Sequence, residues 1–532
     1  ARAEAELGQV TARSMTPNAR LAGAALGHLA GIGVREYVVC AGARNAPLVS
    51  SLLSVCQEKS WNVRHHFDER SAAFFAMGLA KKSGDPVAVL TTSGTAVAEL
   101  LPAAVEAYYS GIPLVLVTAD RPCAYRGSGA PQAIEQVGIF GPYAPLALDL
   151  ADVNDLAGVA EWSGKVPLHL NLCFAEPAPG DQCEAVDVVS IATREPEEIP
   201  ADEINDFLEK SDRLVVILGE LPGSWQSAVE KFLAALGAPV WAEATSGLRE
   251  SRALAGQLIR AEALVSRLAP RQILRLGGVP SLRYWRDLES LTGVGVLSVS
   301  PQPFTGLARA SRHLIGDIFP ENIFPTKQGW VDDLTLLNDA RLEEALTKHP
   351  FSEPAMVGEL SRHIPSDALV YLGNSLPIRE WNLAATREMP HPRIYASRGA
   401  NGIDGQIATF LGMSDGEGES WGLFGDLTAL YDLNAPALLP QLSEGKRRIV
   451  ILNNEGGRIF SRLSSMAGLP DAHKLVTENH HTRRFEQWAA MWDFDYVRWS
   501  AGEPFPEVAG DSVVIEVMLD NNATEAFWEA RR

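Results

Sequence analysis

Short apolar runs, each closed by a turn and followed by a helical pattern, recur along this chain, and that alternation limits the fold most. Residues 35–40 read as a strand closed by Ala41-Gly42-Ala43, and residues 87–90 as another. Ser93-Gly94-Thr95 then opens a helix expected to extend to about Tyr109, before a strand at 113–117. Strands separated by helices cannot join as hairpins. They pair in parallel, with helices covering both faces of the sheet.

The pattern is interrupted twice. Pro177, Pro179, Pro196 and Pro200 punctuate a polar, acidic stretch between residues 176 and 203, which suits a linker. A second α/β pattern includes 214–218 before Gly219 and 272–276 before Gly277-Gly278. After a polar segment from Asp332 to Pro350, a third begins near Pro354, with strand candidates at 369–372, 421–424 and 448–452. The expected fold is α/β: three consecutive α/β domains with mostly parallel sheets, spanning 1–185, 200–345 and 350–532. A length of 532 residues accommodates about three domains.

Composition narrows the function. A formal charge of −20 argues against a nucleic-acid or anionic-membrane binder, which needs a basic field. A few local arginines can still hold a small anion in a cleft. The five cysteines are odd in number and include no Cys-x-x-Cys pair, so neither a disulfide framework nor a zinc knuckle is expected. The start, Ala1-Arg2-Ala3-Glu4, lacks a signal-peptide pattern, and no apolar run is long enough for a membrane anchor, so the expected location is cytoplasmic.

The segment from Trp421 to Gly457 carries the chemistry. One strand runs into Gly425-Asp426, a helical crossover follows, and a second strand ends at Asn453-Asn454, 28 positions beyond the aspartate. In a parallel βαβ unit both carboxyl ends lie on one sheet edge. Asp426 and Asn454 can therefore meet over one ion, and a carboxylate with amide, backbone and phosphate oxygens forms a hard set suited to Mg²⁺. Neighbouring glycines allow close approach to a diphosphate. Either motif alone is also a plain strand end or turn; the pair at this spacing points to a phosphate–metal site.

This constellation resembles the thiamine-diphosphate signature, which opens with Gly-Asp and closes with Asn-Asn. The resemblance implies that Asp426, Asn454 and the Gly456 carbonyl bind Mg²⁺, with Mn²⁺ as an alternative, and that Gly425 lies against the cofactor. Leu427 stands where many relatives carry Gly. It also gives Glu69 a role. On its own, a carboxyl at a strand-to-helix junction is explained by helix initiation. In a thiamine enzyme such a glutamate hydrogen-bonds the aminopyrimidine and promotes loss of the thiazolium C2 proton.

Longer blocks are similar to a narrower group: Cys40-Ala-Gly-Ala-Arg44-Asn-Ala-Pro47, Phe67-Asp-Glu-Arg70, Thr92-Ser-Gly-Thr-Ala-Val97, Thr118-Ala-Asp-Arg-Pro122, Gly129-Ala-Pro-Gln132-Ala-Ile134, Gly373-Asn-Ser-Leu-Pro-Ile-Arg379, Arg398-Gly-Ala-Asn-Gly-Ile-Asp-Gly405 and Gly425-Asp-Leu-Thr-Ala-Leu-Tyr-Asp-Leu-Asn434. They resemble the MenD family, the 2-succinyl-5-enolpyruvyl-6-hydroxy-3-cyclohexene-1-carboxylate synthases. The likeness is strong at both ends and weak in the central domain. It implies decarboxylation of 2-oxoglutarate and 1,4-addition of the succinyl carbanion equivalent to isochorismate. It also implies a homodimer or dimer of dimers with active sites between subunits.

On the same basis Arg44, Arg283, Arg379 and Arg398 are expected to bind anionic substrate groups, for which the planar guanidinium fork is suited. Gln132 and Ser375 are expected as uncharged substrate partners. Ile403 is expected to support the bent cofactor, and Ile459 and Phe460 to line its pocket, with core packing as the competing account. Two departures bear on the acceptor: Ala43 stands where the family usually has Ser, and Leu282 where it usually has Lys. His65-His66, as strand neighbours facing opposite ways, are not assigned a catalytic role, and neither is the His480-His481 pair. The competing functions are another thiamine-dependent 2-oxo-acid decarboxylase, an acetolactate-synthase-like carboligase, and a non-catalytic homologue.

Overall fold

The computed structural model describes residues 15–192, 194–325, 329–330, 337–463, 465–466 and 469–531. The N-terminal tetrapeptide and Asp332, where the second polar segment was placed, lie outside them. The chain forms two compact units, Ala1–Tyr108 with Ile112–Arg194, and Tyr109–Gly111 with Glu195–Arg532.

The first unit contains β1 (Glu36–Val39), β2 (Asn62–His65), β3 (Val87–Thr91), β4 (Leu114–Asp120), β5 (Leu146–Leu150) and β6 (Leu168–Cys173). They form a parallel sheet in the order β2-β1-β3-β4-β6-β5. Every residue of β3 and β4 is buried, as expected for central strands covered on both faces. Helices Pro17–Gly31 and Ala46–Lys59 pack Leu26, Leu29, Leu48 and Leu52 against Tyr37 and Val39. The helix expected from Ser93 to Tyr109 is two helices, Thr95–Ala98 and Leu101–Ser110. Pro102 explains the break: its ring would clash with the carbonyl of residue 98 in a continuous helix.

The second unit holds two sheets. The central one comprises β7 (Leu214–Leu218), β8 (Val240–Ala242), β9 (Gln272–Leu276), β10 (Gly295–Ser300) and β11 (Arg312–Ile315), in the parallel order β11-β10-β9-β7-β8. Alternation serves both faces: Leu214 and Val216 join Trp225 and Phe232, whereas Val215 and Ile217 join Trp285. The last sheet comprises β12 (Leu369–Leu372), β13 (Ile394–Tyr395), β14 (Glu419–Gly425), β15 (Lys446–Asn453), β16 (Asp495–Ser500) and β17 (Ser512–Met518). Its order is β13-β12-β14-β15-β17-β16, all parallel. The winding reverses between β12 and β14, and in open α/β sheets the carboxyl edge at such a reversal forms the binding crevice. Three parallel-sheet α/β domains therefore follow one another along the chain. Among the described residues no helix is long and apolar enough to cross a membrane.

Candidate active site

In the last sheet, Gly425 of β14 pairs with Leu452 of β15, so the two chains emerge at the same level. β14 ends at Gly425, and Asp426 begins the short helix Asp426–Tyr431 rather than ending the strand. The Asp426 carboxylate is buried; Oδ1 accepts from Leu427 N at 2.6 Å and Oδ2 from Gly456 N at 2.9 Å. These contacts join the two strand ends. Gly456 has φ +142°, and a Cβ there would lie 2.6 Å from the Glu478 carbonyl, so only glycine fits. Its own carbonyl already accepts from Arg458 N, leaving one lone pair.

The adjacent asparagines differ sharply. Asn453 donates to Glu516 Oε1 at 2.6 Å and to the Arg483 carbonyl, and its Oδ1 accepts from Glu455 N. Asn454 donates through Nδ2 to both Glu353 oxygens at 3.1 Å, while its buried Oδ1 has no donor. A buried oxygen without a donor is costly unless something absent from the protein satisfies it. The donor set fits a hard divalent cation: a carboxylate, a free amide oxygen, and a carbonyl with a spare lone pair. A Cβ added at Gly425 would meet nothing within 4 Å, so this strand end borders open space.

Glu353 and Glu380 lie beneath this pair, each 1% exposed. Burial pushes Glu353 up to about 7, opposed by the hydrogen bond from Asn454 and reinforced by the Asp426 charge. Burial raises Glu380 well above the carboxylate range, with Glu353 adding repulsion. His481 Nε2 lies 3.3 Å from Asp426 Oδ2 without the alignment of a hydrogen bond.

The loops after β12 and β13 are clamped together. Asn374 donates through Nδ2 to the Ser397 and Gly402 carbonyls at 2.9 and 2.7 Å, and its Oδ1 accepts from Arg398 Nη1 at 2.7 Å. Asp432 accepts from Gly405 N and Ile407 N at 2.8 and 2.9 Å, fixing the loop that carries half-buried Ile403. Ser375 has φ +72°, a backbone strain of about 1–3 kcal/mol of the kind held at functional turns. Arg379 donates to its carbonyl at 2.5 Å. The Arg398 charge acts on fully buried Glu243, and Glu262 acts on Arg379. Ile459 and Phe460 sit half-buried on the turn Arg458–Arg462. Arg283 differs: its guanidinium is 72% exposed and paired with Asp287 at 3.1 Å.

In the first unit, Asp68 caps helix Glu69–Ser83, accepting from Arg70 N, Ser71 N and Ser71 Oγ. Helix initiation therefore belongs to Asp68 and leaves Glu69 unexplained by it. Burial raises the half-buried Glu69 carboxyl above its usual range, and Asp68 and Glu99 add repulsion. Arg44, 7% exposed, donates to the Phe174 and Ala175 carbonyls and pairs with Glu176 at 2.9 Å. Gln132, exposed at φ +55°, packs over Gly94, while buried Gln136 accepts from Gly94 N at 2.9 Å. His65, the last residue of β2, is exposed, and His66, just beyond the strand, is buried.

Residues 20–139 match the family described as thiamine pyrophosphate enzyme, N-terminal TPP binding domain. A solved benzoylformate decarboxylase from Polynucleobacter necessarius superposes with a TM-score of 0.68 over 94% of this chain and 98% of its own, at 14% identity. That likeness shows the fold. The chain is 41% identical to a 2-succinyl-5-enolpyruvyl-6-hydroxy-3-cyclohexene-1-carboxylate synthase from Bdellovibrio bacteriovorus, covering 96% of this chain and 98% of the relative. A synthase of the same name from Akkermansia muciniphila is 42% identical, covering 93% and 95%. The chain belongs to this synthase family. It is a thiamine-diphosphate-dependent synthase, which separates it from the decarboxylase, acetolactate-type and non-catalytic readings.

Within the synthase family, the departure at Leu282 now has a physical setting. Leu282 is 2% exposed and packs with Tyr284 and Trp285, so a lysine there would bury its charge in this core. Ala43 is exposed beside Arg44. No distinct sequence signal marks Glu353, which looks like an ordinary first-turn acid after Ser352. Glu380 directly follows a family-matching block, and Asn374 and Asp432 lie inside such blocks; their clamping role appears only through contacts.

Proposed function

We propose that this synthase decarboxylates 2-oxoglutarate and adds the resulting succinyl unit to isochorismate, forming 2-succinyl-5-enolpyruvyl-6-hydroxy-3-cyclohexene-1-carboxylate for menaquinone biosynthesis. The observation that carries the reading is the buried, unpartnered Asn454 Oδ1 beside Asp426 in a chain matching named synthases almost end to end. Bound thiamine diphosphate supplies the electron sink for the carbanion left when a 2-oxo acid loses CO₂.

The protein's part is to hold, orient and move protons. Asp426, Asn454 and the Gly456 carbonyl hold Mg²⁺ or Mn²⁺ against the diphosphate, and Gly425 leaves space beside it. Glu69 holds a proton at the aminopyrimidine; its raised proton affinity suits that exchange. Ile403, Ile459 and Phe460 supply apolar walls. Arg44, Arg379 and Arg398 neutralise substrate carboxylates, Arg283 offers a further cation at the rim, and Gln132 and Ser375 orient uncharged groups. The reading extends to domains at 1–185, 200–345 and 350–532, a homodimer or dimer of dimers with active sites between subunits, and a cytoplasmic location.

The test is direct. Protein incubated with Mg²⁺, thiamine diphosphate, 2-oxoglutarate and isochorismate should yield the succinylated cyclohexene by mass spectrometry. Succinic semialdehyde as the sole product, with isochorismate present, would overturn the assignment.

A further inference from the structure

Glu353 and Glu380 have no part in the chemistry above, yet both acids are almost wholly buried. Glu353 opens helix Glu353–His363, and Glu380 lies in helix Leu376–Ala384; these helices pack together. The nearby cation Arg462 pairs with Glu525 at 3.0 Å. Two buried carboxyl groups are expensive for a fold to keep, and apolar side chains would pack there at lower cost.

Their contacts supply a reason. The amide of Asn454 has two ends of opposite character: oxygen attracts a cation, and the N–H group repels it. Both Glu353 oxygens accept from Nδ2, which commits that end to the carboxylate and leaves Oδ1 without a donor. The reversed amide would set oxygen against carboxylate oxygen and turn N–H groups toward the metal position. Glu380 lies close enough to Glu353 for their charges to interact, and neither of its own buried oxygens has a hydrogen-bond partner.

We propose that Glu353, supported by Glu380, is a positioning residue that fixes the Asn454 amide with its oxygen turned to the divalent cation. This inference rests on the assignment of Asp426 and Asn454 as metal ligands. Outer partners of metal ligands typically set affinity by about 10- to 100-fold.

The experiment reads Mn²⁺ binding by electron paramagnetic resonance, in full-length protein with thiamine diphosphate and no substrate. Wild-type protein should bind Mn²⁺ and Asp426→Ala should lose it. Failure of that pair of results removes the ligand assignment itself and the present inference with it. Where it holds, Glu353→Gln should weaken Mn²⁺ binding by about 10- to 100-fold, because its amide can present either end to Asn454. Glu353→Asp should recover part of the loss. In an Asn454→Ala background, Glu353→Gln should change affinity by less than about twofold, since the group it orients is gone. Unchanged affinity in Glu353→Gln, or an equal loss in both backgrounds, overturns the proposal and leaves the ligand assignment standing. If Glu353→Gln does not fold, Glu380→Gln carries the test. A loss of about threefold or more that vanishes in the Asn454→Ala background supports the role, and no loss overturns it.

Discussion

Beyond β2, Glu69 stands half-exposed next to Asp68, which already serves as the helix cap. Beyond β14 and β15, Asp426, Asn454, Glu353 and Glu380 are all buried, and their contacts run through one another and through Gly456. Both are carboxyl edges of parallel sheets with similar topology. They differ in how a polar group is made available. At the first edge a neighbour takes over the structural duty and leaves one acid free. At the second, the free oxygen exists because the other end of the same amide is committed to Glu353. Function and stability should therefore separate at Glu69 and remain tied together around Asn454.

The largest effect expected is at Glu69. Glu69→Gln should slow exchange of the cofactor C2 proton by about 10²- to 10⁴-fold, while unfolding free energy shifts by less than about 1 kcal/mol. Deuterium exchange and urea denaturation measure the two quantities. A loss of stability that accounts for the slowed exchange would erase the contrast between the edges.

That contrast was only half legible in the sequence. The strands were readable because central parallel strands are buried on both faces, which demands unbroken apolar runs such as those of β4 and β7. Asp426 and Asn454 could be grouped because strand ends in one βαβ unit share an edge. Glu353 lies 101 positions before Asn454, and nothing local distinguishes it from a helix-starting acid. The helix-initiating role that the sequence offers as the plain account of Glu69 belongs to its neighbour Asp68, which only the contacts of each carboxyl reveal. The continuous helix expected through Pro102 failed because the apolar pattern ran on past a residue whose ring ends a helix.

The first unit also has a buried network, deeper than its edge. His169 lies within 2.8 Å of Thr118 Oγ1, which donates to Asn171 Oδ1, and Gln136 links Asn171 to Gly94. Burial lowers His169 from 6.5 to about 4. The folded protein therefore resists a proton that the unfolded chain takes up below 6.5. Stability from this group is complete above that value and is lost as pH falls toward 4. The difference between those values corresponds to about 3 kcal/mol. Denaturation at pH 7 and pH 4.5 should show a smaller drop in His169→Gln than in wild type. An identical drop would mean that other groups dominate the acid limb and that this network is not the first unit's counterpart to the Asn454 cluster.

Gly456 probes the tied edge from the backbone side. Gly456→Ala meets the Glu478 carbonyl at 2.6 Å and occupies φ +142°. It should cost about 1–3 kcal/mol in unfolding free energy, and it should also weaken Mn²⁺ binding, because the Gly456 N–H holds Asp426 Oδ2. A variant that loses stability yet binds Mn²⁺ as tightly as wild type would show that stability and binding can be separated here too.

The smallest structural effect belongs to Arg283, and it sharpens the comparison by contrast with both edges. Its exposed pairing with Asp287, four residues on, is screened by water and typically contributes about 0.3–0.5 kcal/mol. Arg283→Ala should therefore leave unfolding free energy almost unchanged. A guanidinium that recruits an anionic substrate from this position acts from the rim, and removing it should raise KM with little change in kcat. Steady-state kinetics with each substrate varied in turn would show which one it meets. If KM and kcat both remain at wild-type values, Arg283 is a surface charge, and the family's lost lysine at Leu282 has no compensation from its neighbour.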